Sequence, residues 1–286
     1  MPSHPAFAAG CVAVVTGAAS GIGLAAAERF AAMGLRLCLA DLPGAALDAA
    51  VDRIAALSPS GRSGVIGVPT DVSRLDQVEA LKAAAFGFGE VSVLMNNAGT
   101  APGGGPWDNI AGWQRVLGVN LWGVVHGLQV FTEAMLAQDV PGAIISTGSK
   151  QGITCPPGDT AYNASKAGVK VVTEALAHGL RNAPGGHISA HLLIPGSTYT
   201  GMTRGAGGAK PAGAWTPAQV VDELVAGMAR GDFYILCPDN EVTRGIDHRR
   251  ILWAAQDITR NRPALSRWHP DHAEAFATFL KRRDEA

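Results

Sequence analysis

Tyr162 and Lys166 stand four positions apart in a segment, 159–181, whose apolar spacing is helical, so both side chains project from one face. A free phenol titrates near pH ~10, too high for proton exchange at neutrality. An ammonium beside it stabilises the phenolate and lowers that value. Ser149 lies thirteen residues earlier, just past the apolar run 143–147. Its hydroxyl could hold a substrate oxygen while the tyrosine gives or takes the proton. Such a trio suits chemistry at a carbonyl or alcohol oxygen. A Tyr-x3-Lys pair alone is more often a helix surface contact, so the argument needs the surrounding motifs.

The second candidate is Thr16-Gly17-Ala18-Ala19-Ser20-Gly21-Ile22-Gly23, which follows the apolar run Val12–Thr16 and opens a helical stretch. Glycines there permit a tight turn and let backbone N–H groups approach a pyrophosphate at a helix N-terminus. Gly17, Ser20, Gly21, Ile22 and Gly23 are the candidate contacts. Asp41 closes the next apolar run, eighteen residues beyond Gly23. An acidic side chain at that place accepts hydrogen bonds from ribose hydroxyls and repels a 2′-phosphate. Ser20 is uncharged and no arginine closely follows Asp41, so NAD is expected over NADP. A plain helix-cap or surface aspartate is the competing explanation.

These residues must be carried by the elements between them. Short apolar runs at 12–16, 35–40, 64–68, 91–95, 143–147 and 187–194 alternate with helical stretches at 21–33, 45–57, 75–86, 108–138 and 159–181. Runs of this length separated by helices predict a parallel sheet buried on both faces. Right-handed crossovers make it a doubly wound α/β sheet of about seven strands, a single-domain Rossmann fold with helices on both faces. A Thr216-Pro217 start signal predicts a helix over 220–230, and 233–237 a last short strand. We take 1–239 as the nucleotide-binding domain and 240–286, richer in Arg, His and Trp, as a C-terminal extension. The glycine-rich stretch 201–214 is expected to be a substrate lid bringing Met202 and Tyr199 over the pocket.

The composition excludes several classes. Hydrophobic residues make up 47% and charged residues 16%, enough for a deep core. With 23 basic against 24 acidic residues there is no electrostatic case for nucleic acid or a membrane surface. The four cysteines are scattered and no zinc-like spacing appears, so no metal site is expected, and a reducing cytoplasm fits. No signal peptide or bilayer-spanning stretch is read. The clusters 244–250 and 281–283 read as solvated faces. Of the tryptophans, Trp107 is placed to line a cleft, whereas Trp113 and Trp122 read as core.

Together these motifs resemble the short-chain dehydrogenase/reductase family, in its shorter single-domain branch, over roughly 12–200. Tyr162-Asn163-Ala164-Ser165-Lys166 is similar to its catalytic signature. By that resemblance Asp71 and Val72 would hold the adenine, and Asn97, Ala98 and Gly99 of Asn96-Asn97-Ala98-Gly99 would line the cofactor. Pro195, Gly196, Thr198 and Thr200 would lie beside the nicotinamide. The catalytic set implied is Asn120, Ser149, Tyr162 and Lys166. Tyr162 would be the acid/base, Ser149 would polarise the carbonyl, Lys166 would lower the tyrosine pKa and hold the ribose, and Asn120 would fix a water. Thr198 departs from the usual aliphatic residue, Gly148 from the usual serine, and the tail from Asn240 is foreign to the pattern.

The expected activity is NAD-dependent interconversion of a secondary alcohol and a ketone, on a bulky, largely apolar substrate. An epimerase or dehydratase, or a nucleotide-sensing protein on the same scaffold, is the alternative. A homodimer or homotetramer is expected, with apolar residues of 220–237 (Val221, Leu224, Val225, Met228, Phe233, Ile235) offered as the assembling surface.

Overall fold

The computed structural model describes residues 3–184, 186–202 and 209–281. Seven strands form one sheet: β1 (Val12–Thr16), β2 (Arg36–Asp41), β3 (Val65–Pro69), β4 (Val91–Asn96), β5 (Gly142–Thr147), β6 (Ile188–Ile194) and β7 (Tyr234–Leu236). All pairs are parallel, in the order β3-β2-β1-β4-β5-β6-β7. Every residue of β1, β4 and β5 is buried, which is why these strands are continuous apolar runs and not alternating ones. The two-residue period still sorts their side chains. Ala13, Val15, Leu37 and Leu39 enter one core; Val12, Val14, Cys38 and Ala40 enter the other.

Helices α1 (Gly21–Ala32) and α2 (Ala45–Leu57) cover the first face. The second face carries α3 (Leu75–Phe88) and, beyond the short α4 (Ile110–Leu117), α5 (Gly123–Leu136). A π-helical turn, Gly118–Trp122, joins α4 to α5, so the helical stretch 108–138 is two helices in series. After the short α6 (Gln151–Thr154), the 23-residue α7 (Thr160–Asn182) packs on the second face, and α8 (Pro217–Arg230) joins α1 on the first. The Thr216 start signal is a capping box: the Thr216 hydroxyl accepts from the Gln219 N–H, and Gln219 Oε1 accepts from the Thr216 N–H. The chain reverses its direction of growth between β1 and β4. At that switch the carboxyl ends of the strands open a crevice.

The extension consists of α9 (Arg244–Thr259), α10 (Ala273–Lys281) and two short 3₁₀ turns. Its own core is Trp253, 4% exposed, packed by Phe276 and Phe279, with the Arg262 guanidinium 3.8 Å from the ring centroid. Trp253 Nε1 donates to Ser266 Oγ at 2.8 Å. Among the described residues no helix is long and apolar enough to cross a membrane.

Three expectations change. Val221, Leu224, Met228 and Ile235 are each no more than 1% exposed, buried against the sheet and α1 of their own chain, so these four offer no assembling surface, while Val225 and Phe233 are half-buried. Trp107 is 91% exposed and Trp122 55% exposed, one standing clear of any cleft and the other outside the core. The 244–250 cluster is not a simple solvated face: Arg244 pairs with Glu223, while Asp247 is buried. Residues 203–208 of the expected lid, and 282–283 of the second basic cluster, lie outside the described residues.

At the opposite end of the sheet His4 and His191 meet edge to face, with ring centroids 5.3 Å apart. Ser189 Oγ bridges their Nε2 atoms at 3.3 and 2.8 Å, and His191 Nδ1 faces the Asp232 carbonyl at 2.7 Å. Burial, then the neighbouring His191, pushes His4 down from 6.5 to about 4; burial lowers His191 as well. Both rings are therefore neutral in the fold and protonate first in the unfolded chain. Their contribution is fully present above pH 6.5 and is lost as pH falls through that value toward about 4. Between pH 7 and 5, urea denaturation should show a stability loss that His4→Phe makes smaller by on the order of 1 kcal/mol, the half-buried position halving the full linkage value. An identical loss in both proteins would refute this assignment.

Candidate active site

The crevice at the switch point is a cleft of about 710 Å³. Its base is tied together by Thr16 at the end of β1. The Thr16 hydroxyl donates to the Met95 carbonyl at 3.3 Å and accepts from the Asn97 and Ala98 N–H groups at 2.9 and 3.1 Å. Asn97 Nδ2 returns to the Thr16 carbonyl at 3.0 Å, and its Oδ1 accepts from the Thr147 hydroxyl at 3.3 Å. The ends of β1, β4 and β5 are thus pinned side by side.

The glycine turn is forced by close approach. Gly17 has φ +66°, and a Cβ there would lie 2.8 Å from Ala98 Cα. At Gly23 a Cβ would meet the Gly17 carbonyl oxygen at 2.1 Å. Gly23 therefore lets α1 start tight against the turn and does not itself line the cleft. Ser20 caps α1 without a side-chain hydrogen bond, and Gly21 and Ile22 of its first turn face the cleft. First-turn N–H groups of that helix are ordinary partners for an anion. Asp41 closes this end: its Oδ2 accepts from the Ala19 N–H and its Oδ1 from the Leu42 N–H, both at 2.8 Å. Asp71 and Val72 form the adjoining wall, with Asp71 Oδ1 holding the Ser73 N–H at 3.0 Å and hydroxyl at 2.7 Å. This cradle fits a dinucleotide.

At the other end of the cleft, α7 begins at Asp159, whose carboxylate caps it by accepting from the Tyr162 N–H at 3.1 Å. The same carboxylate accepts from the Gly103 and Gly104 N–H groups, binding the loop after β4 to the helix. The sequence places Asp159 at the start of a helix but gives no sign of this second contact. Tyr162 and Lys166 share the cleft-facing side of α7, and Ser149 reaches them from the end of β5. The Ser149 hydroxyl hydrogen-bonds with the Tyr162 phenol and also accepts from the Gln151 N–H at 3.1 Å. Lys166 is buried, and its Nζ donates to the Thr147 carbonyl at 2.8 Å. Burial pushes this ammonium down from 10.5 to about 8.

Burial is also the largest influence on Tyr162 and raises its pKa; the Ser149 hydrogen bond opposes it, and the Asp159 charge adds to it. The expected lowering by Lys166 is not among the causes. Its ammonium lies 5.8 Å from the ring centroid and is turned to the Thr147 carbonyl. Ser149 is the group that pulls the phenol down.

Pro195, Gly196, Thr198 and Thr200 complete the wall, with Gly99 and Met202 opposite; Tyr199 is not part of it. Asn120 is buried behind the wall, in the π turn. Its Oδ1 accepts from the Thr100 N–H at 2.7 Å, while Nδ2 donates to the Thr100 carbonyl and to Ser165 Oγ at 3.0 and 3.1 Å. It clamps the loop after β4 to α7. Every candidate residue except Gly23 and Asn120 thus faces the cleft.

The model of the short chain dehydrogenase family matches residues 11–210. The chain belongs to the short-chain dehydrogenase family. Among relatives, it is 36% identical over 265 residues to a 1-deoxy-11-beta-hydroxypentalenate dehydrogenase of Streptomyces exfoliatus, covering 90% of this chain and 93% of that protein. That similarity reaches into the extension beyond residue 210. A solved short-chain dehydrogenase/reductase from Burkholderia phymatum, in complex with NAD, is 37% identical with a TM-score of 0.79. The match covers 89% of this chain and 96% of that one. A short-chain dehydrogenase from Sphingobium yanoikuyae, in complex with NADPH, is 26% identical with a TM-score of 0.71, over 88% and 94% of the two chains. This short-chain dehydrogenase therefore shares its fold with proteins that hold either nicotinamide dinucleotide.

Proposed function

We propose that this short-chain dehydrogenase is an NAD-dependent enzyme that interconverts a bulky, largely apolar secondary alcohol and its ketone. The observation that carries the proposal is the meeting of Ser149, Tyr162 and Lys166 in the cleft that the glycine turn and Asp41 open. In this reading Tyr162 is the general acid/base and transfers the proton at the substrate oxygen. The Ser149 hydroxyl holds that oxygen and steers the phenol. Lys166, charged and fixed by the Thr147 carbonyl, is the cation on this part of the cleft wall and would hold a ribose hydroxyl of the bound cofactor. When bound, the nicotinamide supplies or accepts the hydride. Asn120 acts by holding the loop that carries Thr100 and Gly99.

For the cofactor, Asp41 speaks for NAD. Lys166 and Arg115 are the basic residues on the described cleft wall, and neither adjoins the aspartate in the chain. For the substrate, the neighbouring wall is Gly99, Ala101, Gly196 and Met202, with Thr100, Gln114 and Arg115 as its polar members. The Streptomyces relative is named as a dehydrogenase of a hydroxypentalenate, which supports a hydroxylated substrate. We assign residues 1–239 to cofactor and substrate, with 240–286 as an extension of that domain, and expect a homodimer or homotetramer in the cytoplasm.

The test is NAD reduction with a bicyclic terpene alcohol, a 3β-hydroxysteroid, 2,3-butanediol and galactitol as probes. A kcat/KM at least tenfold higher for the first two is expected. Preference for the polar diol or polyol would overturn the substrate class, and no reduction with any alcohol or oxidation with the matching ketones would overturn the reaction.

A further inference from the structure

Lys150 follows Ser149 directly in the chain, yet its side chain leaves the cleft and enters the C-terminal extension. Its Nζ lies 2.5 Å from Asp247 Oδ2, on α9, and 3.4 Å from Asp239 Oδ2, just after β7. The three side chains are 16%, 5% and 9% exposed, so this is an internal ion cluster. Arg250 and Arg267 line the small cavity beside it, together with Ile153 and Thr154. Burial raises the Asp247 pKa, and the Lys150 hydrogen bond and charge hold it down. Removing Lys150 would take from Asp247 its hydrogen-bonded partner and leave the Arg250 charge to oppose its burial, a loss that the backbone around it must move to relieve.

That backbone belongs to the site. The Lys150 N–H donates to the Pro195 carbonyl at 3.1 Å, joining the ends of β5 and β6. At Gly196 a Cβ would sit 2.7 Å from Asp239 Oδ2 and 3.0 Å from Lys150 Nζ, so the ion cluster presses directly on the Pro195-Gly196 strap. Lys150 also starts α6, and there a Cβ on Gly152 would lie 2.5 Å from the Lys166 carbonyl carbon. The turn carrying Ser149 is therefore wedged between α7 and the extension. On the far side, Asn240 donates through its N–H to the Gly213 carbonyl at 3.2 Å and through Nδ2 to the Ala212 carbonyl at 2.7 Å.

We propose that the Lys150–Asp247 pair, with Asp239 as second anchor, is a positioning device by which the C-terminal extension sets the Ser149 hydroxyl against the Tyr162 phenol. Lys150 touches neither reacting atoms nor cleft; it acts through Ser149 and Gly196. The proposal rests on the role given to Ser149 and Tyr162 above.

The chain has three tyrosines, so Tyr162 can be titrated by phenolate absorbance as the difference from Tyr162→Phe. Ser149→Ala should raise the Tyr162 midpoint, since it removes the hydrogen bond that lowers it. Lys150→Met should raise it in the same direction and cut kcat at least tenfold on the fastest probe alcohol, with NAD Kd held within threefold. Asp247→Asn should do the same in smaller measure, and it carries the test should Lys150→Met not fold. Lys150→Arg, which can still pair, should return the midpoint and bring kcat to within threefold of wild type. Lys150→Met and Asp247→Asn that lower only the thermal midpoint, leaving the Tyr162 midpoint and kcat unmoved, would overturn the proposal while the Ser149–Tyr162 assignment stands. If Ser149→Ala itself leaves the Tyr162 midpoint unmoved, that assignment falls and the proposal with it.

Discussion

Replacing Tyr162 with Phe is expected to cut turnover at least a hundredfold while leaving NAD affinity within about twofold. The substitution removes one oxygen from a half-buried ring and nothing else. A hundredfold is about 2.7 kcal/mol of barrier, within what a positioned proton donor supplies. Phe keeps the ring on the cleft-facing side of α7, so the wall beside Lys166 is preserved. Lys166→Ala should behave differently. It removes the ammonium held at 2.8 Å by the Thr147 carbonyl, which on the proposed reading would hold the ribose and so place the nicotinamide, so kcat and NAD affinity should fall together. The pH profile follows from the shift. Burial raises the phenol, so the phenolate that accepts an alcohol proton forms only on the alkaline side, and the oxidation rate should climb with pH above neutrality. Steady-state rates and cofactor titration for the two variants decide this. More than about a hundredth of wild-type turnover in Tyr162→Phe would remove the tyrosine from its proposed role.

The contrast between Tyr162 and Asn120 indicates what the sequence could disclose. Tyr162, Lys166 and the glycine turn are local patterns: their spacing already places them on one face or at one helix start, and the strands that carry them are unbroken apolar runs. That the sheet is parallel and doubly wound likewise follows from strands alternating with helices, whereas the order of β1, β4 and β5 does not, since other orders obey the same crossover rule. Asn120 has partners 20 and 45 residues away, and it sits in a π turn that no periodicity announces. Asp159 looks like an ordinary N-cap until its second job, holding the Gly103 and Gly104 amides, is seen. Lys150 and Asp247 are 97 residues apart and were legible only as two charges among others. Exposure was the poorest inference of all. Trp107 and Trp122 are large and apolar but stand largely in solvent, while Val221 and Leu224, read as spare surface, are core. A hydrophobic residue type constrains what burial would gain, not whether the fold brings a partner.

Cofactor choice should show the same dependence on one local group. NAD is expected to bind at least tenfold tighter than NADP, a difference of about 1.4 kcal/mol. Asp41 is not free to swing aside. One carboxylate oxygen is held by the Ala19 N–H of the glycine turn and the other by the Leu42 N–H, each at 2.8 Å. A 2′-phosphate entering that end of the cleft would place like charges near one another, and at about 4 Å two unit charges repel by roughly 4 kcal/mol in a partly screened environment. That exceeds the required 1.4 kcal/mol even if half is lost to water and salt. Asp41→Asn keeps the side chain's shape and one oxygen to accept a turn N–H, but removes the charge. It should therefore raise NADP affinity severalfold and lower NAD affinity modestly, through a weaker acceptor for the ribose hydroxyls. Raising ionic strength should narrow the wild-type preference and leave that of the Asn variant nearly unchanged. Fluorescence titration of both proteins with both cofactors provides the comparison. Equal wild-type affinities would remove Asp41 as the discriminating group, and an unchanged preference in Asp41→Asn would move the discrimination elsewhere on the cleft wall.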